Sequence, residues 1–225
     1  MTYELDDLKT PCNMIFSGST MCGKTTLLRK LLKQLIPKHD MTLVLAPTAN
    51  VSKDYEEYKS DERFQVRHKK IGERLKELIE KQRELVENKG KDKASGILLI
   101  LDDCLGDKSL AFGGELDHFS TKSRHYKISI IILTQSLRRV PHTFRMNTRY
   151  IMAFSSANFK ELEAILEEFC PKKYKKKFTD QLPLIYDKPF TFVFCQCFIT
   201  SPQQRLWVVN PDFTHQNIVE EILTK

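Results

Sequence analysis

The chain has 225 residues, 41% of them hydrophobic and 29% charged, with 36 Lys and Arg against 29 Asp and Glu for a formal net charge of +7. That length accommodates one substantial domain with a packed core, and the composition excludes a disordered chain. No apolar run reaches the ~18–20 residues of a membrane span, and the acidic start Met1-Thr2-Tyr3-Glu4-Leu5-Asp6-Asp7 carries no secretory leader.

Taken in order, Asn13 to Ser17 reads as a short buried strand ending at Gly18. From Lys24 to Ile36, Leu27, Leu28, Leu31, Leu32 and Leu35 recur at helical spacing, and Pro37 marks the stop. Met41 to Ala46 is a second strand, closed by Pro47. The stretch from Lys53 to Arg67 is polar and mixed and has no readable period. Ile71, Leu75, Leu78, Ile79, Leu85 and Val86 define an amphipathic helix, and Lys89-Gly90-Lys91-Asp92-Lys93 a solvated break. Ile97 to Leu101 and Tyr150 to Phe154 are continuous apolar runs and Ile128 to Leu133 (I-S-I-I-I-L) is nearly one, the pattern of parallel strands buried on both faces.

Asn158 with Glu161 three residues on resembles a capping box opening a helix filled by Leu162, Ile165, Leu166 and Phe169. Phe190 to Phe198 and Leu206 to Val209, joined by Ser201-Pro202-Gln203-Gln204, form an edge hairpin, and Ile218 to Leu223 a final helix. Strands alternating with helices specify an α/β fold with a mainly parallel sheet. The expected organisation is one domain over residues 1–225. Its core spans about 11–170, and residues 171–225 add a basic helix, the hairpin and the last helix.

Gly18-Ser19-Thr20-Met21-Cys22-Gly23-Lys24-Thr25 fits G-x-x-x-x-G-K-S/T in full, with a strand before it and a helix after it. Gly18 and Gly23 let the backbone curl so that successive N–H groups face phosphate oxygens, and the helix N-terminus adds partial positive charge. Lys24 then reaches the β- and γ-phosphates of ATP, Thr25 completes a Mg²⁺ shell, and Thr26 meets the α-phosphate. Asp102 and Asp103 end the Ile97–Leu101 run. Asp102 is expected to hold the Mg²⁺ shell through water, and Asp103 to polarise the attacking water, although ATPases often carry Glu there. Gln135, at the end of the next strand, is placed to hold that water or sense the γ-phosphate.

Six cysteines lack a C-x-x-C pair or repeating spacing, so neither a zinc ribbon nor a disulfide framework is indicated, and reduced thiols are expected. Cys22, within the phosphate loop, reads first as a tolerated filler, with the alternative that its thiol shares the loop's anion-attracting field and reacts readily. Cys195 and Cys197 alternate onto one face of a strand, a packing arrangement. His39, His68, His118, His125, His142 and His215 share no ligand spacing.

The segment from Ser123 to Leu166 resembles the FtsK/HerA superfamily of DNA-pumping P-loop (RecA/FtsK-like) ATPases, and within it the poxvirus-type genome-packaging ATPases of large DNA viruses and virus-like transposons. Arg124-His125, Leu133-Thr134-Gln135, Pro141, Arg145 and Asn147 carry the likeness. With the phosphate loop and Asp102-Asp103, it spans about Asn13 to Phe169.

The resemblance implies a homo-oligomeric ring, hexamer or pentamer, that translocates double-stranded DNA into a preformed capsid at the site of virion assembly in host cytoplasm or nucleus. It implies a sensor role for Gln135. It also implies an arginine finger at Arg124, offered to a neighbour's ATP, with Arg145 and Arg149 as competitors. A cellular HerA-like translocase, a nucleoside or nucleotide kinase with Arg138-Arg139 as its lid, and a non-hydrolysing scaffold remain as alternatives. DNA contact is open among three elements: Lys172-Lys173-Tyr174-Lys175-Lys176-Lys177, equally a solvated helix face, Arg138-Arg139, and the Gly106–Glu115 loop with Lys108 and Gly113-Gly114.

Overall fold

A computed structural model describes residues 8–49, 51, 53–106, 110, 114–156, 158–170, 172–199, 205–210, 212 and 214–217. The strands are β1 (Asn13–Ser17), β2 (Met41–Leu45), β3 (Phe64–Arg67), β4 (Ile97–Asp102), β5 (Ile128–Thr134), β6 (Thr148–Phe154), β7 (Phe192–Gln196), β8 (Leu206–Val209) and β9 (His215–Asn217). The helices are α1 (Lys24–Leu35), α2 (Ile71–Lys89), α3 (Glu115–Ser120), α4 (His142–Met146), α5 (Phe159–Phe169) and α6 (Lys172–Ile185). Among the described residues all nine strands join one sheet in the order β3-β2-β4-β5-β1-β6-β7-β8-β9. The first six run parallel, and β7, β8 and β9 are antiparallel to their neighbours.

Strand alternation sorts the core into two faces. Met14, Phe16, Leu98, Ile100, Ile131 and Leu133 face Leu27, Leu28, Leu31, Leu32 and Leu35 of α1. Ile15, Leu99, Leu101, Ile130 and Ile132 pack instead with Leu75 of α2, Phe144 of α4, Ile165 of α5 and Phe178 of α6. The five α1 leucines are 0–3% exposed, and burying each contributes about 1.5–3 kcal/mol. Helix α1 is therefore held rigidly against the sheet, with its N-terminus at the carboxyl end of β1.

Among the described residues the expected strands and helices form, and the structure adds β3, β9, the short helices α3 and α4, and 3-10 turns. β3 and a 3-10 turn at Glu56–Tyr58 occupy the stretch without a readable period. β3 is a short edge strand, so only Phe64 is fully buried and no alternation shows in the sequence. β9 lies outside the hairpin, so β8 is not the edge. Asn158 does cap α5, accepting a hydrogen bond from Lys160 N at 3.1 Å. Glu161 is used elsewhere: its carboxylate accepts from Ser136 Oγ at 2.8 Å and Leu137 N at 3.0 Å. The 201–204 turn, the Ile218–Leu223 helix, Lys108 and Gly113 lie outside the described residues.

Candidate functional site

β5 lies between β1 and β4, so the carboxyl ends of three adjacent parallel strands deliver the phosphate loop, Gln135 and the Asp102-Asp103 pair to one rim. The loop is tied to that rim by Gly18 N donating to Thr134 O at 3.2 Å and Ser19 N donating to Ser155 O at 3.0 Å. Gly18 has no room for a side chain: a Cβ there would lie 2.6 Å from Phe154 Cβ and 2.8 Å from Cys22 Sγ. Gly23 caps α1 at φ +105°, a conformation that favours glycine. Met21, at the loop's apex, adopts φ +62° and is 90% exposed.

No acidic residue sits in the first turn of α1 to cancel the field of its N-terminus. Lys24 is buried, and its Nζ donates to Gly18 O at 2.8 Å and Ser19 O at 2.7 Å. The ammonium is thereby held against the loop backbone at the N-terminus of α1, where positive charge and helix dipole together suit a chain of phosphates. Thr20, Thr25 and Thr26 sit at the loop tip and on the first turn of α1, Thr20 and Thr26 exposed and Thr25 half-buried.

Asp102 ends β4 and is largely enclosed. Its Oδ2 accepts a hydrogen bond from the Tyr55 hydroxyl at 2.7 Å. Burial raises its pKa above the ordinary carboxylate value, helped by Asp103 and Asp54, while the Tyr55 bond and Lys24 pull the other way. Asp103 follows in the left-handed region at φ +50° and is exposed, a strained turn that swings it out of the strand. Gln135 Nε2 lies 3.5 Å from Asp103 Oδ2, at the outer limit of a hydrogen bond. Both line a cleft of about 380 Å³ with Leu105, Ser136, Arg139 and Glu161. The Glu161 contacts to Ser136 and Leu137 fix the backbone directly after Gln135.

These residues fit a magnesium-bound nucleoside triphosphate. The Thr25 hydroxyl and Asp102 carboxylate are hard oxygen donors of the kind Mg²⁺ takes beside substrate phosphates, and the loop supplies the anion cradle. Sequence reasoning missed Tyr55, which lies in the segment without period and carries no motif. It also read Glu161 as a cap. Cys22 fits the filler reading better than the reactive one. Its thiol is half-buried against Lys24, 3.7 Å from Nζ, and burial outweighs that ammonium, so its pKa is raised from 9.0 rather than lowered.

Arg124 stands apart from this rim. It precedes β5, whose seven residues span roughly 20 Å at about 3.3 Å each, so it occupies the opposite end of the sheet from Gln135. A buried cluster fixes its turn: Ser123 Oγ donates to Asn13 Oδ1 at 3.0 Å, and Asn13 Nδ2 donates to Ser120 O at 3.1 Å. The guanidiniums of Arg124 and Arg149 both lie over the Phe198 ring, 5.6 and 5.9 Å from its centroid. Arg145 is engaged within the chain, its Nε 2.8 Å from Glu168. Arg138 and Arg139 are exposed beside the cleft, and the lysine run opens α6, with Lys172, Lys176 and Lys177 exposed and Lys175 paired to Glu167 at 2.8 Å.

Among known proteins, the family described as Poxvirus A32 protein matches residues 2–191. The DNA packaging protein OPG160 of Variola virus is 29% identical over 181 residues, covering 79% of this chain and 65% of that protein. The OPG160 protein of Monkeypox virus is 29% identical over the same length and is covered to 59%. The chain thus spans about two thirds or less of the length of these relatives.

The genome packaging NTPase B204 from Sulfolobus turreted icosahedral virus 2, solved with AMPPCP, shares the fold at TM-score 0.62 and 13% identity, over 91% of this chain and 100% of that one. The pCW3 conjugation coupling protein TcpA, solved with ATPgS, superposes at TM-score 0.59 and 16% identity, over 95% of this chain and 64% of that one. The fold is thus shared with a genome packaging NTPase and a conjugation coupling protein, both solved with nucleotide analogues. No helix among the described residues is long and apolar enough to cross a membrane.

Proposed function

The chain belongs to the poxvirus A32 protein family, and from that premise we propose that it is the ATP-driven motor that moves double-stranded DNA into a viral or virus-like capsid. The observation that carries this reading is the convergence of Lys24, Asp102, Asp103 and Gln135 at the carboxyl ends of three neighbouring strands. In this reading residues 18–26 cradle ATP, Lys24 neutralises charge on the β- and γ-phosphates, and Thr25 and Asp102 hold Mg²⁺. Asp103 accepts a proton from the attacking water, and Gln135 orients that water and reports the presence of the γ-phosphate.

Arg124 acts in trans. At the far end of the sheet from its own phosphate loop, it serves a neighbouring subunit's ATP in a homo-oligomeric ring, and turnover then requires assembly. Repeated around that ring, Arg138, Arg139 and the lysines of α6 supply sequence-independent phosphate contacts. The capsid is the second partner, and virion assembly in the host cytoplasm the setting.

The test is ATP hydrolysis by the purified protein with and without duplex DNA. Stimulation by DNA of any sequence, without a small-molecule phosphoryl acceptor, supports the motor. Phosphoryl transfer to a nucleoside or nucleotide would establish a kinase instead. Lys24→Ala should abolish binding or turnover, and Asp103→Ala should bind ATP without hydrolysing it.

A further inference from the structure

Two residues before β7 the chain does something that packing does not require. Phe190 is 57% exposed, and its backbone sits at φ +63°, a left-handed conformation that a bulky side chain disfavours. A single exposed aromatic is ordinary, but an exposed aromatic held in a strained turn points to a role outside the core. The turn itself is fixed: Thr191 N donates to Lys188 O at 3.3 Å, and just upstream the Tyr186 hydroxyl donates to Ala153 O at 2.8 Å.

The ring rests against the phosphate loop. A Cβ placed on Gly23 would lie 3.1 Å from Phe190 Cδ1 and 3.6 Å from Phe154 Cε1, so two aromatic rings flank the last glycine of the loop. Phe154 is buried and pairs with Phe192 at 4.9 Å between centroids, so the inner of the two rings is held in the core.

The sheet order supplies the direction. Asp102, Asp103 and Gln135 lie on the β5–β4 side of β1, whereas Phe190 lies on the β6–β7 side. A triphosphate whose terminal group faces the carboxylates and Gln135 runs across the N-terminus of α1, and its nucleoside leaves toward β6 and β7. We infer that Phe190 is the nucleobase platform, its ring stacking on the face of the base of the bound nucleoside triphosphate.

This inference rests on the nucleotide-binding reading above and adds the contact to the base. Face stacking reads ring area and not edge hydrogen bonds, so purine nucleotides, ATP and GTP alike, are favoured over pyrimidine ones.

The experiment compares ATP with inorganic tripolyphosphate, which offers the same phosphates and no base, by titration calorimetry on the full chain. Phe190→Ala should weaken ATP binding about tenfold, in line with aromatic–base stacking elsewhere, and leave tripolyphosphate affinity unchanged. Phe190→Trp should retain ATP affinity, and its fluorescence, read against the single natural tryptophan Trp207, should be quenched by ATP and not by tripolyphosphate. Unchanged ATP affinity in Phe190→Ala, or an equal loss for both ligands, overturns the platform. A native protein that binds neither ligand overturns the nucleotide reading as well, so the two failures are distinct.

Discussion

The hydroxyl of Tyr55 donates a 2.7 Å hydrogen bond to Oδ2 of Asp102, joining the segment before β3 to the acidic tip of β4. Tyr55 is 3% exposed, and burial with the neighbouring carboxylate pushes its own pKa far above the usual phenol value, so it serves only as a donor. Its bond favours the ionised form of Asp102 and opposes the burial that raises that carboxyl's pKa. Tyr55→Phe removes the donor while keeping the ring. The acid limb of the ATPase pH profile should move to higher pH, because Asp102 then takes up a proton sooner as pH falls, and the Mg²⁺ concentration needed for half-maximal turnover should rise. A profile and a metal dependence that match the native protein would remove Tyr55 from the site.

Arg124→Ala should leave ATP affinity intact and lower turnover about 10³-fold or more, the scale of known arginine fingers. Asp103→Ala protein should be equally inert, yet mixing the two should restore activity, since some interfaces then pair an intact Arg124 with an intact Asp103. The ratio dependence of ATPase activity measures this. No recovery at any ratio would place the finger elsewhere, with Arg149, which shares the Phe198 ring, the next candidate. Arg145 is less suited, since Glu168 already holds its guanidinium.

Thiol alkylation of Cys22 should be slow at neutral pH and still accelerating at pH 9, because burial raises its pKa from 9.0 and only the thiolate reacts. Bound ATP should slow the modification, which mass spectrometry of the Cys22 peptide reports directly. Fast, pH-independent labelling near neutrality would contradict the enclosed position of this sulfur.

His39 provides a pH dependence of stability. Its ring is buried, with Nδ1 2.7 Å from Leu35 O and Nε2 2.9 Å from Ser129 Oγ, and desolvation lowers its pKa below the ordinary 6.5. The folded state therefore holds His39 neutral. The stabilisation is whole above the unfolded value of 6.5 and is lost as pH falls below it, because the unfolded chain takes up the proton first. Urea midpoints measured between about pH 8 and about pH 5 should fall on acidification, and His39→Phe should flatten that slope relative to the native protein.

Much of this molecule is written in local pattern. The strands that bear the site, β1, β4 and β5, are mostly apolar because both faces are covered, and the leucines of α1 fall at helical spacing because one face is. The loop between β1 and α1 is legible for a related reason: its glycines, Lys24 and Thr25 form one contiguous motif along the chain. β3 and β9 were illegible because edge strands of three or four residues bury too little to impose a period.

The sequence by itself determined the α/β class, the glycine-rich loop with Lys24, and the acidic and amide residues at the strand ends, since each is specified by neighbours along the chain. Only the tertiary structure decided that β5 runs between β1 and β4 and so sets Gln135 beside Asp103. It alone brought Tyr55 to Asp102, Glu161 to the loop after Gln135, and Phe190 against Gly23. Those pairings join residues 25 or more positions apart. They depend on strand order and on crossings through the core, which no local spacing encodes.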